Sequence, residues 1–97
     1  MLLNALDRDA SITILGSTGS IGESTLAVAR HIENLSVFAL TAKSNVTTLL
    51  EQCLEFKPRY AVLVDSQGAD TLAESLRSAG CETKVLFGRE ALTWYTG

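Results

Sequence analysis

Apolar positions in this chain fall into short runs separated by stretches with helical spacing. Ile12-Thr13-Ile14-Leu15, Val37-Phe38-Ala39-Leu40, Tyr60-Ala61-Val62-Leu63-Val64 and Thr83-Lys84-Val85-Leu86-Phe87 read as strands. The second and third have the unbroken apolar character of strands covered on both faces. A first helix is expected over roughly Ser20 to Ile32, with Ile21, Thr25, Val28, Ala29 and Ile32 on its core face and Asn34 ending it. A second puts Val46, Leu49, Leu50, Cys53 and Phe56 on one stripe, capped by Asn45 and stopped by Pro58. A third, capped at Asp65-Ser66, carries Leu72, Leu76 and Ala79 and closes at Gly80, and Arg89 to Tyr95 opens a fourth.

Strand and helix therefore alternate throughout. Right-handed crossovers make such units parallel, with the helices packed on the sheet. The fold class expected is α/β, a Rossmann-like doubly wound parallel sheet. It is incomplete, with about four strands where a full dinucleotide fold has about six. Residues 1–10, with Asp7, Arg8 and Asp9, read as an N-terminal extension, and residues 11–97 as part of a nucleotide-binding domain cut short at its C-terminal end.

Composition narrows the possible partners. A chain of 97 residues, 46% hydrophobic, supports one core and excludes two domains. A net charge of −3 gives no basic field for nucleic acid or anionic lipid, so any phosphate must be held locally. No window approaches the roughly 18 apolar residues of a membrane span, and no basic leader precedes the first strand. Cys53 and Cys81 have neither metal-knuckle spacing nor disulfide density, which suits a reduced, cytoplasmic setting.

The chemistry concentrates where the first strand ends. Gly16, Gly19 and Gly22 form G-x-x-G-x-x-G between a strand and a helix, a departure from the commoner G-x-G-x-x-G. Such a turn gathers backbone N–H groups and the positive end of a helix dipole, which suits a pyrophosphate. In this reading Gly16 makes the sharp exit from the strand, Gly19 leaves bare backbone for the phosphate, and Gly22 lets the helix pack close. Ser17, Thr18 and Ser20 add hydroxyls, either to the ligand or as helix caps.

The end of the second strand selects the dinucleotide. An NAD site places an acid there to hold the ribose 2′-OH, about 20 residues after the turn. Here the strand runs into Thr41-Ala42-Lys43-Ser44-Asn45, which offers a cation, a hydroxyl, an amide and a helix N-terminus. That corner suits a 2′-phosphate, so NADPH is expected over NADH. Lys43 as an exposed loop cation and Asn45 as a plain helix cap are the structural alternatives. His31 sits late in a helix with no partner for a triad or metal, Asp65 reads as a cap, and Arg59, Trp94 and Tyr95 have no catalytic spacing. The sequence contains no recognisable catalytic set.

Taken together, Leu15-Gly16-Ser17-Thr18-Gly19-Ser20-Ile21-Gly22, Ser24-Thr25-Leu26, Asn45-Val46 and Pro58-Arg59-Tyr60-Ala61-Val62 resemble the N-terminal domain of the 1-deoxy-D-xylulose 5-phosphate reductoisomerase family. The resemblance runs in order from about Ser11 to Phe87. It implies an NADPH-dependent enzyme of the non-mevalonate isoprenoid pathway that acts on a sugar phosphate, with magnesium or manganese, as a homodimer. It also implies cofactor contacts at Thr18, Gly19, Ser20 and Ile21 and at Lys43, Ser44 and Asn45, where Lys43 replaces a glycine frequent in the family. The family's asparagine-lysine-glutamate motif, metal ligands and substrate-phosphate site fall outside this sequence, so the chain alone is expected to be inactive. Two other functions fit the same residues: the cofactor domain of another NADP-dependent enzyme, such as a semialdehyde dehydrogenase, and a dinucleotide-sensing module without chemistry.

Overall fold

A computed structural model describes residues 10–88. Its elements are β1 (Ala10–Ile14), α1 (Ser20–Ala29), β2 (Leu35–Ala42), α2 (Val46–Phe56), β3 (Tyr60–Leu63), a 3-10 turn (Ser66–Gly68), α3 (Ala69–Ser78) and β4 (Lys84–Phe87). The expected helix at Arg89 to Tyr95 and the N-terminal extension through Asp9 lie outside the described residues.

All three strand pairs are parallel, and the sheet order is β1-β2-β3-β4. Each crossover steps the same way, so right-handedness places α1, α2 and α3 on one face. Their apolar residues share one cluster: Leu26 from α1, Leu49 and Cys53 from α2, and Leu72 and Leu76 from α3 meet Ile14, Leu40, Ala42, Ala61 and Leu63 of the sheet. The described residues thus form one wing of a doubly wound sheet. Consecutive burial of Ala39, Leu40, Thr41 and Ala42 matches the expectation of a second strand covered on both faces.

A bulge adjusts β2 to that core. Ile12 pairs with Val37 while Thr13 pairs with Ala39, leaving Phe38 as the extra residue. The change of phase lets Val37 join Leu40 and Ala42 in the cluster. The Phe38 ring meets Tyr60 edge-on, with centroids 5.4 Å apart. Burial, reinforced by the nearby Cys81, pushes the Cys53 thiol up to about 12, so it stays neutral in the core.

Several local expectations change. The first helix stops at Ala29 rather than Ile32, because His31 and Ile32 donate backbone bonds three residues back and tighten the chain toward Asn34, whose φ is 66°. Its core face is also a different stripe: Gly22, Leu26 and Ala29 are buried, whereas Ile21 is 83% exposed and Val28 62% exposed. Asp65 caps the 3-10 turn through Gln67 N–H instead of α3 directly, and α3 starts at Ala69. Ala79 is exposed at the C-cap of α3, outside the buried stripe of Ala69, Leu72 and Leu76. Across the outside of the helical layer, Arg30 at the C-cap of α1 pairs with Glu55 of α2 through two hydrogen bonds, and its guanidinium lies over Phe56.

Candidate functional site

β2 runs on past the end of β1, and the glycine turn hangs from that end of β2. Gly16 N–H donates to Thr41 Oγ1 at 2.9 Å, and Ser17 N–H donates to the Thr41 carbonyl at 2.8 Å. The Ser17 hydroxyl donates to that same carbonyl at 3.3 Å and is fully buried. Its structural place is therefore inside the turn, facing β2. A third support arrives from α2, where the buried Gln52 donates its Nε2 to the Ser17 carbonyl at 2.8 Å.

The three glycines have different reasons. Gly16 has φ +69°, a left-handed conformation that side chains disfavour, and a Cβ there would meet nothing within 4 Å. At Gly22 a Cβ would lie 2.3 Å from the Gly16 carbonyl oxygen and 2.6 Å from Ser17 Cα. The close packing that this glycine allows is thus against the turn's own backbone rather than the sheet. Gly19 differs from both. Its φ is −80°, and an added Cβ would make only an ordinary contact at 3.5 Å with the Gly16 oxygen. The fold itself does not demand a glycine there.

Gly19 is also the N-cap of α1, with no side-chain cap hydrogen bond. Ser17, Thr18 and Ser20 therefore do not cap the helix. The first N–H groups of α1 accordingly have no intrahelical acceptor, and Gly19, Ser20 and Ile21 are exposed while Thr18 is half-buried. An open helix N-terminus beside bare backbone is a place where an anion can accept several hydrogen bonds at once.

The second corner follows directly from Thr41. Lys43, Ser44 and Asn45 are exposed, and Asn45 Oδ1 accepts from Thr48 N–H at 3.1 Å, so the capping role expected of Asn45 is present. The corner is anchored by its backbone, with Asp65 N–H donating to the Lys43 carbonyl at 2.8 Å. The side chain of Asp65 is engaged locally, its Oδ1 accepting from Gln67 N–H at 3.1 Å. His31 is exposed, and among the described residues there is no group of three metal-ligating side chains.

Sequence reasoning missed Thr41 and Gln52 as parts of this site. Thr41 carried a signal, since a hydroxyl at the end of a buried apolar strand must find a partner. Gln52 carried another, as a polar residue one position before Cys53 on a stripe that proved wider than its apolar members.

A parallel sheet whose first strand runs through a glycine turn into a helix defines a Rossmann-like α/β class. The chain belongs to the 1-deoxy-D-xylulose 5-phosphate reductoisomerase family, whose model matches residues 12–96. Its relatives include the reductoisomerase of Nitrosomonas europaea, 56% identical over 88 residues, a match covering 90% of this chain and 21% of the relative. The reductoisomerase of Paraburkholderia phytofirmans is 55% identical over 82 residues, covering 84% of this chain and 20% of the relative. Among solved structures, a DOX-P reductoisomerase in complex with NADPH, fosmidomycin and magnesium superposes with a TM-score of 0.79 at 39% identity, over 86% of this chain and 20% of that one. The enzyme of Zymomonas mobilis in complex with NADPH gives 0.77 at 36% identity, over 88% and 22%. The chain thus spans about a fifth of the length of the relatives it matches.

Proposed function

We propose that this chain is the NADPH-holding part of a 1-deoxy-D-xylulose 5-phosphate reductoisomerase, an enzyme that isomerises and reduces that substrate to 2-C-methyl-D-erythritol 4-phosphate. The observation that carries the proposal is the suspension of the glycine turn from Thr41, two residues before the Lys43-Ser44-Asn45 corner. One strand end thereby holds both halves of a dinucleotide site. The backbone at Thr18, Gly19, Ser20 and Ile21 takes the pyrophosphate, while Gly16, Ser17 and Gly22 shape the turn. Lys43, Ser44 and Asn45 take the 2′-phosphate, Lys43 by charge and the other two by hydrogen bonding.

NADPH, when bound, supplies the hydride for the reduction. The divalent cation of the whole enzyme, magnesium or manganese, is expected to be held by residues outside this sequence. The sugar phosphate and a homodimeric, cytoplasmic enzyme complete the proposal. No helix among the described residues is long and apolar enough to cross a membrane.

Fluorescence titration tests the cofactor assignment. The chain should bind NADPH at least about tenfold more tightly than NADH, the difference one charge-assisted contact supplies. Comparable affinities for the two would overturn the choice of NADPH.

A further inference from the structure

We infer that Gln52 is a positioning residue for the cofactor turn, an inference that rests on the NADPH reading and extends it to a side chain that cannot touch the ligand. Gln52 is 8% exposed and lies on α2, whose N-cap, Asn45, forms part of the 2′-phosphate corner. Its Nε2 reaches across 35 residues of sequence to the Ser17 carbonyl at 2.8 Å. The helix that begins at one half of the site therefore grips the other half from below.

The chemistry of the grip is specific. The Ser17 carbonyl is a pure acceptor, so its partner must be a donor. Nε2 meets that need, and the amide's Oε1 is left buried without a hydrogen-bond partner among the described residues. An apolar side chain of similar volume would fill the same core position with no orphaned acceptor. The feature that distinguishes Gln52 from such a side chain is the bond to Ser17.

That bond adds to what Thr41 does. Thr41 holds the amide edges of Gly16 and Ser17, and Gln52 holds the opposite, carbonyl edge of Ser17. With both edges fixed, the peptide after Ser17 cannot rotate freely, and the Thr18 N–H that it carries keeps its direction, while Gly19 N–H is held within the turn by the Gly16 carbonyl at 3.1 Å. Releasing one edge lets this peptide tilt, and the pyrophosphate then meets amides that must be reoriented before they bind.

Two variants of the full chain test the inference by NADPH titration at several pH values, with folding checked by circular dichroism. Gln52→Leu keeps the volume and removes the donor; it should weaken NADPH binding by roughly tenfold, equally at pH 8 and pH 5.5. Gln52→Glu faces the Ser17 carbonyl with an ionised carboxylate at high pH and with a donating carboxylic acid once protonated. Its affinity should be poor at pH 8 and recover toward that of the wild type as pH falls to 5.5, a profile that a purely space-filling role would not produce. Wild-type affinity in folded Gln52→Leu at every pH overturns the inference, as does a Gln52→Glu profile parallel to that of the wild type. Absence of NADPH binding by the wild-type chain overturns the cofactor reading itself.

Discussion

The two halves of the candidate site are built in opposite ways. The glycine turn is fixed from within, by a buried serine, two bonds to Thr41 from successive amides and one from Gln52. The Lys43-Ser44-Asn45 corner is fixed only through its backbone and its cap, and its side chains face solvent. The contrast follows from the ligand chemistry each half suits. A pyrophosphate bound by backbone amides needs a rigid frame, because those amides cannot adjust individually. A terminal phosphate bound by charge tolerates a long mobile side chain, because a lysine ammonium acts as a point charge.

Substitutions at the two structurally constrained glycines of the turn, Gly16 and Gly22, should therefore damage the fold, whereas substitutions at Gly19 and in the corner should damage only binding. The largest effect is expected for Gly22→Ala, whose Cβ would overlap backbone atoms of Gly16 and Ser17. It should cost about 3 kcal/mol in denaturant unfolding, at the upper end for overpacking, and NADPH binding should be lost with it.

Gly16→Ala and Gly19→Ala separate the remaining glycines. Gly16→Ala has space but the wrong φ, and should cost about 1–2 kcal/mol. Gly19→Ala has space and an ordinary φ, so its stability should stay within about 0.5 kcal/mol of the wild type while NADPH affinity falls. A stable Gly19→Ala chain with undiminished binding would show that the phosphate does not approach there.

In the corner, Lys43→Ala should leave the melting curve unchanged and reduce NADPH affinity by about tenfold, with NADH affinity unaffected. The smallest effect concerns Arg30 and Glu55, outside both halves. The guanidinium's hydrogen bonds hold the Glu55 carboxyl below its ordinary value, so the pair's contribution is present above about pH 4.5 and fades as pH falls through the lowered value. Melting temperatures of the wild type and Glu55→Gln should converge in acid, with only a slight difference at neutral pH.

The order of the elements was legible because each strand is a short apolar run and each helix a longer periodic one. The Asn45 cap was legible for the same local reason. The rotation of α1 was not. Ile21, Leu26, Ala27, Val28 and Ala29 put apolar groups on several sides, so the pattern gave the helical period without its phase. The phase is set by Gly22, which counts as nothing on an apolar scale yet is the only residue able to lie against the turn.

Gln52 was missed on similar grounds, since a bond to a carbonyl 35 residues earlier leaves no local pattern. For the site itself, the sequence showed which amides are available, and the fold added what holds them.

The bulge at Phe38 has a consequence at the other end of its strand. One residue more in β2 than in β1 shifts the pairing by one from the bulge to the end of the strand. Without that extra residue Thr41 would be carried one step further along the sheet with its side chain turned to the opposite face, and Gly16 would lose its acceptor. A single-residue irregularity within the strand thus acts as the vernier that brings a hydroxyl within reach of the first glycine's N–H.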